Sequence, residues 1–242
     1  MTAKKRYDAL RGYRDEYLNK ADVSARLTLP YLIRDEEQFR GATRDLQTPW
    51  QSVGAKGTVT LASKLMLALM PIQTSFFKLQ VDDSQLGEVP PEVKTELDLS
   101  FAKIERTIMD AIAASDDRVV IHQALKHLVV AGNALIFMGK DGLKLYPLNR
   151  FVIDRDGNGN VIEIVTKEKI AKKLLADVIP DYMPQEKEGD EEREDDCDVF
   201  THIKRDGNRF VWHQEVFNKI IPGSQGKAPL DTNPWLHLRF NT

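Results

Sequence analysis

A chain of 242 residues with a net charge of −3 is long enough for a sizeable core and too acidic for a general nucleic-acid binder, which is usually basic. Its single cysteine, Cys197, excludes an internal disulfide and a cysteine zinc cluster, which fits a reducing cytoplasm. Residues 1–17 lack the apolar core of a signal peptide, and the longest apolar run, residues 61–70, is too short to span a bilayer, so we expect a soluble intracellular protein without membrane contact.

The first two predicted elements are a charged helix and a long helix of unusual composition. Residues 3–20 place tyrosines and leucines three and four positions apart on one face. The second helix spans residues 48–70: Thr48 can cap it, Pro49 suits its first turn, and Pro71 ends it. Its first half is small and glycine-bearing, and its second half is almost entirely apolar, which we interpret as core.

Extended structure is expected next, followed by two more helices. Aromatic and branched residues begin a strand over residues 76–81. Residues 92–114 carry an apolar stripe at helical spacing. A further helix begins at Asp116 or Asp117 and runs to Ala131, and the following glycine ends it. The stripe of residues 92–114 consists of Val93, Leu97, Phe101, Ile104, Ile108 and Ile112.

After Asn133 the pattern changes to short strands separated by turns. A short helix is predicted at residues 167–177, and an acidic loop at residues 184–198. We therefore expect an α+β fold with N-terminal helices followed by a mostly antiparallel sheet, in which residues 1–133 are helical and residues 134–242 are rich in strands. The predicted strands are residues 134–138, 144–148, 152–154, 161–166, 198–204, 209–215 and 235–240.

Several motifs resemble binding sites, and none meets the requirements of its chemistry. The DRDGNG run at residues 154–159 begins like a calcium loop, but the twelfth position is Val165 instead of glutamate, which favours a hairpin turn. His202 and His213 lie on the two arms of one predicted hairpin, diagonally opposed, and a zinc site would need two more ligands. Residues 54–57 lack the order of a phosphate loop. We therefore predict no catalytic, cofactor or metal site.

The glycines of the second helix need a reason, because each costs roughly 1 kcal/mol of helix stability relative to alanine. Close approach of another backbone would offset that cost, either within the chain or from a neighbouring subunit. Both interpretations are open at this point. The residues that a subunit contact would involve are Trp50, Gln51, Gly54, Lys56 and Gly57.

Three ordered stretches resemble the portal, or head-to-tail connector, proteins of T7-like short-tailed bacteriophages (podoviruses). They are TPWQSVGAKG with LASKLMLALMPIQT (within residues 48–74), ALKHLVVAGNALIF (residues 124–137) and KLYPLNRFVIDRDGNGNVIEIVTKEKIA (residues 144–171). The resemblance covers about residues 46–203 well and both ends loosely. Family members are roughly twice as long, so it implies that this chain corresponds to the N-terminal half, the wing, without the long stem helices, clip and crown.

The resemblance implies a subunit of a closed ring of about twelve copies at one capsid vertex, through which double-stranded DNA is packaged and ejected. It implies a virion protein assembled in the host cytoplasm, without enzymatic activity or cofactor. The implied partners are other copies of the chain, the terminase motor, the major capsid and scaffolding proteins, the tail adaptor and internal core proteins, and DNA bound without sequence specificity. A nucleic-acid-processing enzyme or an acidic regulatory protein with an unrecognised site is the alternative.

The basic N-terminus allows two interpretations. Because acidic residues are interleaved with the cations, a solvated helix face accounts for the pattern. In a portal wing, the same cations could face the capsid shell or DNA inside the head. They are Lys4, Lys5, Arg6, Arg11 and Arg14.

Overall fold

The computed structural model describes residues 1–33, 51–71, 74–80, 90–171 and 196–240. Within them the chain forms helices first and antiparallel strands afterwards, which confirms the predicted α+β class. The helices are α1 (Ala3–Leu27), α2 (Val53–Leu69), α3 (Pro91–Ala114) and α4 (Asp117–Ala131). The strands are β1 (Asn133–Gly139), β2 (Gly142–Tyr146), β3 (Phe151–Arg155), β4 (Val161–Ala171), β5 (Asp196–Asp206), β6 (Arg209–Val216), β7 (Lys219–Ile220), β8 (Gly226–Pro229) and β9 (Trp235–Arg239).

The strands form two antiparallel sheets in the described part of the chain. The smaller sheet has the order β2-β1-β9, so the last strand returns to pair with the first. The larger sheet has the order β3-β4-β5-β6-β7, with β8 also paired to β6. Strands β3 and β9 are therefore edge strands of different sheets.

Helix α1 joins the two sheets through small and aromatic residues spaced three and four apart. At its N-terminal end Ala3, Tyr7 and Leu10 pack on Val152 and other residues of the larger sheet. At its C-terminal end alanines of α1 enter a second cluster, which includes residues of both sheets. The members from α1 and the sheets are Ala21, Ala25, Leu135, Tyr146, Phe151, Ile164, Ile203, Phe210 and Trp235.

Helices α2 and α4 pack together on the smaller sheet. Ala62, Met66 and Met70, four residues apart, meet α4 residues such as Leu125 and the strand residue Ile136. Helix α4 ends as predicted: Gly132 has the left-handed φ of 67°. The Tyr17 hydroxyl donates a hydrogen bond of 2.6 Å to the carbonyl of Ala131, which fixes this end against α1.

The start of α2 and the segment after it differ from the prediction. The helix begins at Val53 with Ser52 as its N-cap, and the Ser52 side chain makes no capping hydrogen bond. The predicted capping residues Thr48 and Pro49 lie outside the described residues. Residues 74–80 form no strand, because no neighbouring strand pairs with them in the described part of the chain. Instead, the Leu79 N–H donates to the carboxylate of Glu105 on α3 at 2.6 Å.

The prediction of a helix at residues 167–177 is wrong for residues 167–171, which the structure describes as strand. Strand β4 continues through Ala171, and its backbone pairs with β5 as far as Asp196. Ile170 packs against the apolar end of β5 and β6, and Lys167 forms an ion pair of 3.1 Å with Asp198. Long-range pairing and burial therefore outweigh the local helix preference. Residues 172–177 of this predicted helix lie outside the described residues, as do residues 184–195 of the predicted acidic loop.

Candidate functional site: contact surfaces of the chain

Carboxylates of the larger sheet hold the N-terminal end of α1. Glu215 accepts a hydrogen bond of 2.7 Å from the Ala3 N–H, which the first turn of a helix leaves without a backbone partner. The Arg6 guanidinium donates to Glu163 and to Asp154, both at 2.6 Å. Arg6, which the sequence offered as a cation facing capsid or DNA, is thus paired within the chain.

Two histidines extend this network across the sheet. His202 and His213 are direct cross-strand partners, not the diagonal pair that the sequence predicted, and their ring centroids are 5.4 Å apart. Nε2 of His202 contacts Glu163, and Nε2 of His213 lies 2.9 Å from Glu215. We call the six side chains the polar network: Arg6, Asp154, Glu163, His202, His213 and Glu215. Among the described residues, no group of three or more His, Cys, Asp or Glu is arranged to hold a metal ion.

The polar network keeps Glu163 ionised. Burial on its own raises the pKa of Glu163, but hydrogen bonds from His202 and Arg6 outweigh burial and lower that pKa. The hydrogen bond to Glu163 in turn raises the pKa of Arg6. The arrangement is therefore a charged, hydrogen-bonded connection between α1 and strands β3 to β6, and it holds a helix in place.

The remaining N-terminal cations divide into inward and outward groups. Arg14 is 11% exposed and donates to the backbone carbonyls of Leu148 (3.0 Å) and Phe151 (2.6 Å). Arg11 is exposed and lies 3.6 Å from Asp15 on the same helix. Lys4 and Lys5 are also exposed. A contact with capsid or DNA stays a prediction, and Lys4, Lys5 and Arg11 are the residues placed to make one.

The two glycines of α2 have different surroundings. A Cβ at Gly54 would lie 2.8 Å from the carbonyl oxygen of Leu27, at the end of α1, so close packing within the chain accounts for this glycine. A Cβ at Gly57 would meet nothing within 4 Å. Gln51 and Lys56 are exposed, and Trp50 lies outside the described residues. A subunit contact at this surface stays a prediction.

Helices α2 and α3 expose much of their apolar surface. The sequence suggested that residues 61–70 are all core, and this is wrong for three of them: Leu61, Leu67 and Leu69 are exposed. Of the predicted stripe on α3, Val93, Ile104 and Ile108 are exposed by 44%, 47% and 38%, respectively. No side chain described on α3 is buried. These faces therefore have the chemistry of a surface that another partner covers.

The sequence did not reveal the polar network, since its carboxylates are far apart along the chain. Glu163 and Glu215 occupy strand positions where apolar residues are usual, and this is the sequence feature that could have indicated the polar network. A charged residue at a buried strand position needs a partner, but the sequence does not say that the partner is on α1.

Uncovered apolar helix faces are typical of the class of proteins that assemble with a partner. The family model "Bacteriophage head to tail connecting protein" matches residues 1–241, and the chain belongs to this family. It is 36% identical to the portal protein of Enterobacteria phage T3, over 98% of this chain and 45% of that protein. It is also 36% identical to the portal protein of Escherichia phage T7, over 98% of this chain and 46% of that protein.

A more distant relative is the portal protein of Enterobacteria phage SP6, 31% identical over 94% of this chain and 44% of that protein. The resemblance to T7-like portal proteins is therefore confirmed. The chain spans less than half the length of each of these relatives. No helix in the described part of the chain is long and apolar enough to cross a membrane.

Proposed function

We propose that the chain is part of a portal subunit, which assembles into a ring at one capsid vertex, conducts double-stranded DNA during packaging and ejection, and joins the head to the tail. The observation that carries this proposal is the similarity to portal proteins of T7-like phages along almost the whole chain. In this role the protein is a virion component that is assembled in the host cytoplasm.

The uncovered apolar faces support assembly into a ring. A ring of identical subunits needs two different surfaces that fit each other, so each subunit presents apolar area that is covered only after assembly. Burial of exposed side chains such as Ile104 and Ile108 on α3 would stabilise a subunit contact by roughly 25 cal/mol per Å² of apolar area removed from water. We propose that the α3 stripe contacts the neighbouring subunit of the ring.

The charge of the chain supports a conduit instead of a DNA-gripping protein. Each phosphate that a protein neutralises adds salt-dependent affinity, which would slow DNA that must slide past. A net charge of −3 is compatible with weak contact. We propose that the protein is not an enzyme and needs no cofactor, that the terminase motor hydrolyses ATP, and that the capsid, scaffolding, tail adaptor and internal core proteins are the other partners.

Deletion of the gene from its phage tests this function. Without the protein, infected cells should yield no DNA-filled heads, and expression of the complete wild-type gene in trans should restore them. Electron microscopy of lysates and nuclease-resistant DNA measure both results. A deletion phage that still fills its heads with DNA would contradict the proposal.

A further inference from the structure

Two basic side chains, Arg155 and His237, meet where the edges of the two sheets come together, and Arg239 follows His237 by two residues on the same strand. Alternation along β9 puts Trp235, His237 and Arg239 on one face, and Trp235 packs in the core shared with the larger sheet. The ring of His237 lies edge-on to that of Phe151 on β3, with centroids 5.8 Å apart. Arg155, at the end of β3, reaches the same place, and we call Arg155, His237 and Arg239 the basic cluster.

Hydrogen bonds within the basic cluster determine which of its nitrogen atoms carry the protons that are available to a ligand. Nη2 of Arg155 bonds to Nδ1 of His237, and Nη1 bonds to the carbonyl of Gly159 in the β3–β4 turn. A guanidinium only donates, so Nδ1 of His237 accepts and its proton lies on Nε2. The Nε2–H of His237 and the guanidinium of Arg239 are therefore additional donors beside Arg155.

The positive charge of the basic cluster is not compensated by the carboxylates nearest to it in sequence. Asp154 is paired with Arg6 on the other side of β3. Asp156 accepts hydrogen bonds from the N–H groups of Asn158 and Asn160 within the turn, at 3.0 and 2.7 Å. No ion pair of Arg155 or Arg239 occurs among the described residues.

Burial and the neighbouring positive charges lower the pKa values of two members of the basic cluster. Burial, followed by the charge of Arg239, lowers the pKa of Arg155. Burial and the charges of Arg155 and Arg239 lower the pKa of His237 to about 3. An anion placed among these groups would relieve both the repulsion and the unpaired charge, and arginine pairs recognise oxyanions through several parallel hydrogen bonds.

We propose that Arg155, His237 and Arg239 form a binding site for a phosphate group at the junction of the two sheets. The phosphate can belong to a small anion such as pyrophosphate or to the phosphodiester backbone of DNA, since the donors recognise the same oxygens in both.

The test compares Arg239→Gln with Lys219→Gln. The side chain of Arg239 is exposed and makes no hydrogen bond or ion pair among the described residues, while its backbone stays paired with Asn133, so loss of the guanidinium should not disturb folding. Lys219 is an exposed residue on β7, outside the basic cluster, and its substitution removes the same charge. Circular dichroism checks that both variants are folded. Calorimetric titration with pyrophosphate, and separately with a short DNA duplex, measures binding to the wild type and to each variant.

We expect Arg239→Gln to weaken binding of the recognised probe by about tenfold or more, and Lys219→Gln to leave it close to wild type. Loss for pyrophosphate assigns the site to a small anion, and loss for the duplex alone assigns it to DNA. In either case, NMR titration should find that the bound phosphate raises the pKa of His237 from about 3. No binding of either probe, or equal weakening by the two variants, would overturn the proposal.

Discussion

Helices α1 and α3 have similar lengths, 25 and 24 residues, but opposite relations to the rest of the chain. Helix α1 is fixed by buried residues such as Tyr7 and by the polar network at its N-terminal end. Helix α3 also has an apolar stripe, but no buried side chain among those described. The comparison teaches that an amphipathic pattern identifies a face to be covered, but not whether the same chain covers it.

The largest difference in the free energy of unfolding is expected between substitutions on the apolar faces of the two helices. Tyr7 is buried, packs on Phe200 with centroids 5.6 Å apart, and donates a hydrogen bond of 3.0 Å to the Asn149 carbonyl. Tyr7→Ala should lower the free energy of unfolding by about 3–5 kcal/mol. Ile104→Ala on α3 should change it by less than about 0.5 kcal/mol, because the side chain is already exposed. Urea unfolding followed by circular dichroism measures both, and comparable losses would contradict the contrast.

The polar network should contribute less to the free energy of unfolding than the packing of Tyr7, but more than a surface ion pair does. Glu163→Gln removes the carboxylate that His202 and Arg6 share and leaves Arg6 with Asp154 alone, so it should lower the free energy of unfolding by about 1–3 kcal/mol. Glu16 serves as the control, because its Oε1 forms an exposed ion pair of 2.8 Å with Nζ of Lys20, four residues further along α1. Glu16→Gln should leave the urea midpoint unchanged. Equal midpoints for the two variants would mean that the network does not hold α1.

The buried region should also respond to acid through His127 on α4. Burial lowers the pKa of His127 to about 4, whereas an unfolded histidine titrates near about 6.5. Between these values the unfolded chain binds more protons, so stability decreases as the pH falls. His127→Gln should therefore flatten the dependence of the urea midpoint on pH between about 6.5 and about 4. If His127→Gln leaves the slope of the urea midpoint against pH unchanged over this window, the pKa of His127 is not lowered in the folded protein.

The smallest expected effects come from the two glycines of α2, and they have opposite signs. Gly54→Ala places a Cβ against the Leu27 carbonyl and should destabilise the chain. Gly57→Ala meets no atom within 4 Å and should stabilise it by roughly 0.5–1 kcal/mol through helix propensity. Thermal unfolding of the two variants compares them directly. Stabilisation by both substitutions would show that α1 and α2 are not closely packed at Gly54.

Local signals predicted the end of α4 and the β5–β6 hairpin because the causes of both are local. Gly132 ends α4 in the left-handed conformation, and the β5–β6 hairpin turns at Asp206, Gly207 and Asn208, where Gly207 has a φ of 59°. The extension of β4 beyond residue 166 was missed because it depends on pairing with β5, which follows much later in the chain.

The contact surfaces were predictable only in part, for the same reason. The sequence identified the stripe on α3 and the glycines of α2, but burial decides which of these faces stay open. It offered Arg6 and Arg14 as outward cations, and the structure turns both toward the sheet because their partners are distant residues such as Glu163 and Leu148. The basic cluster likewise depends on a side-chain contact between β3 and β9, which are edge strands of different sheets, and no local pattern encodes that contact.

The most direct measurement is the mass and shape of the complete protein, with and without an altered α3 face. Native mass spectrometry and negative-stain electron microscopy should find rings with a central channel for the wild type. The double variant Ile104→Asp with Ile108→Asp should give folded subunits that do not form rings, because two charges would be buried at each subunit contact. A complete wild-type protein that stays monomeric would contradict the portal assignment. Rings that persist in the variant, or a variant that unfolds, would contradict the placement of α3 between subunits.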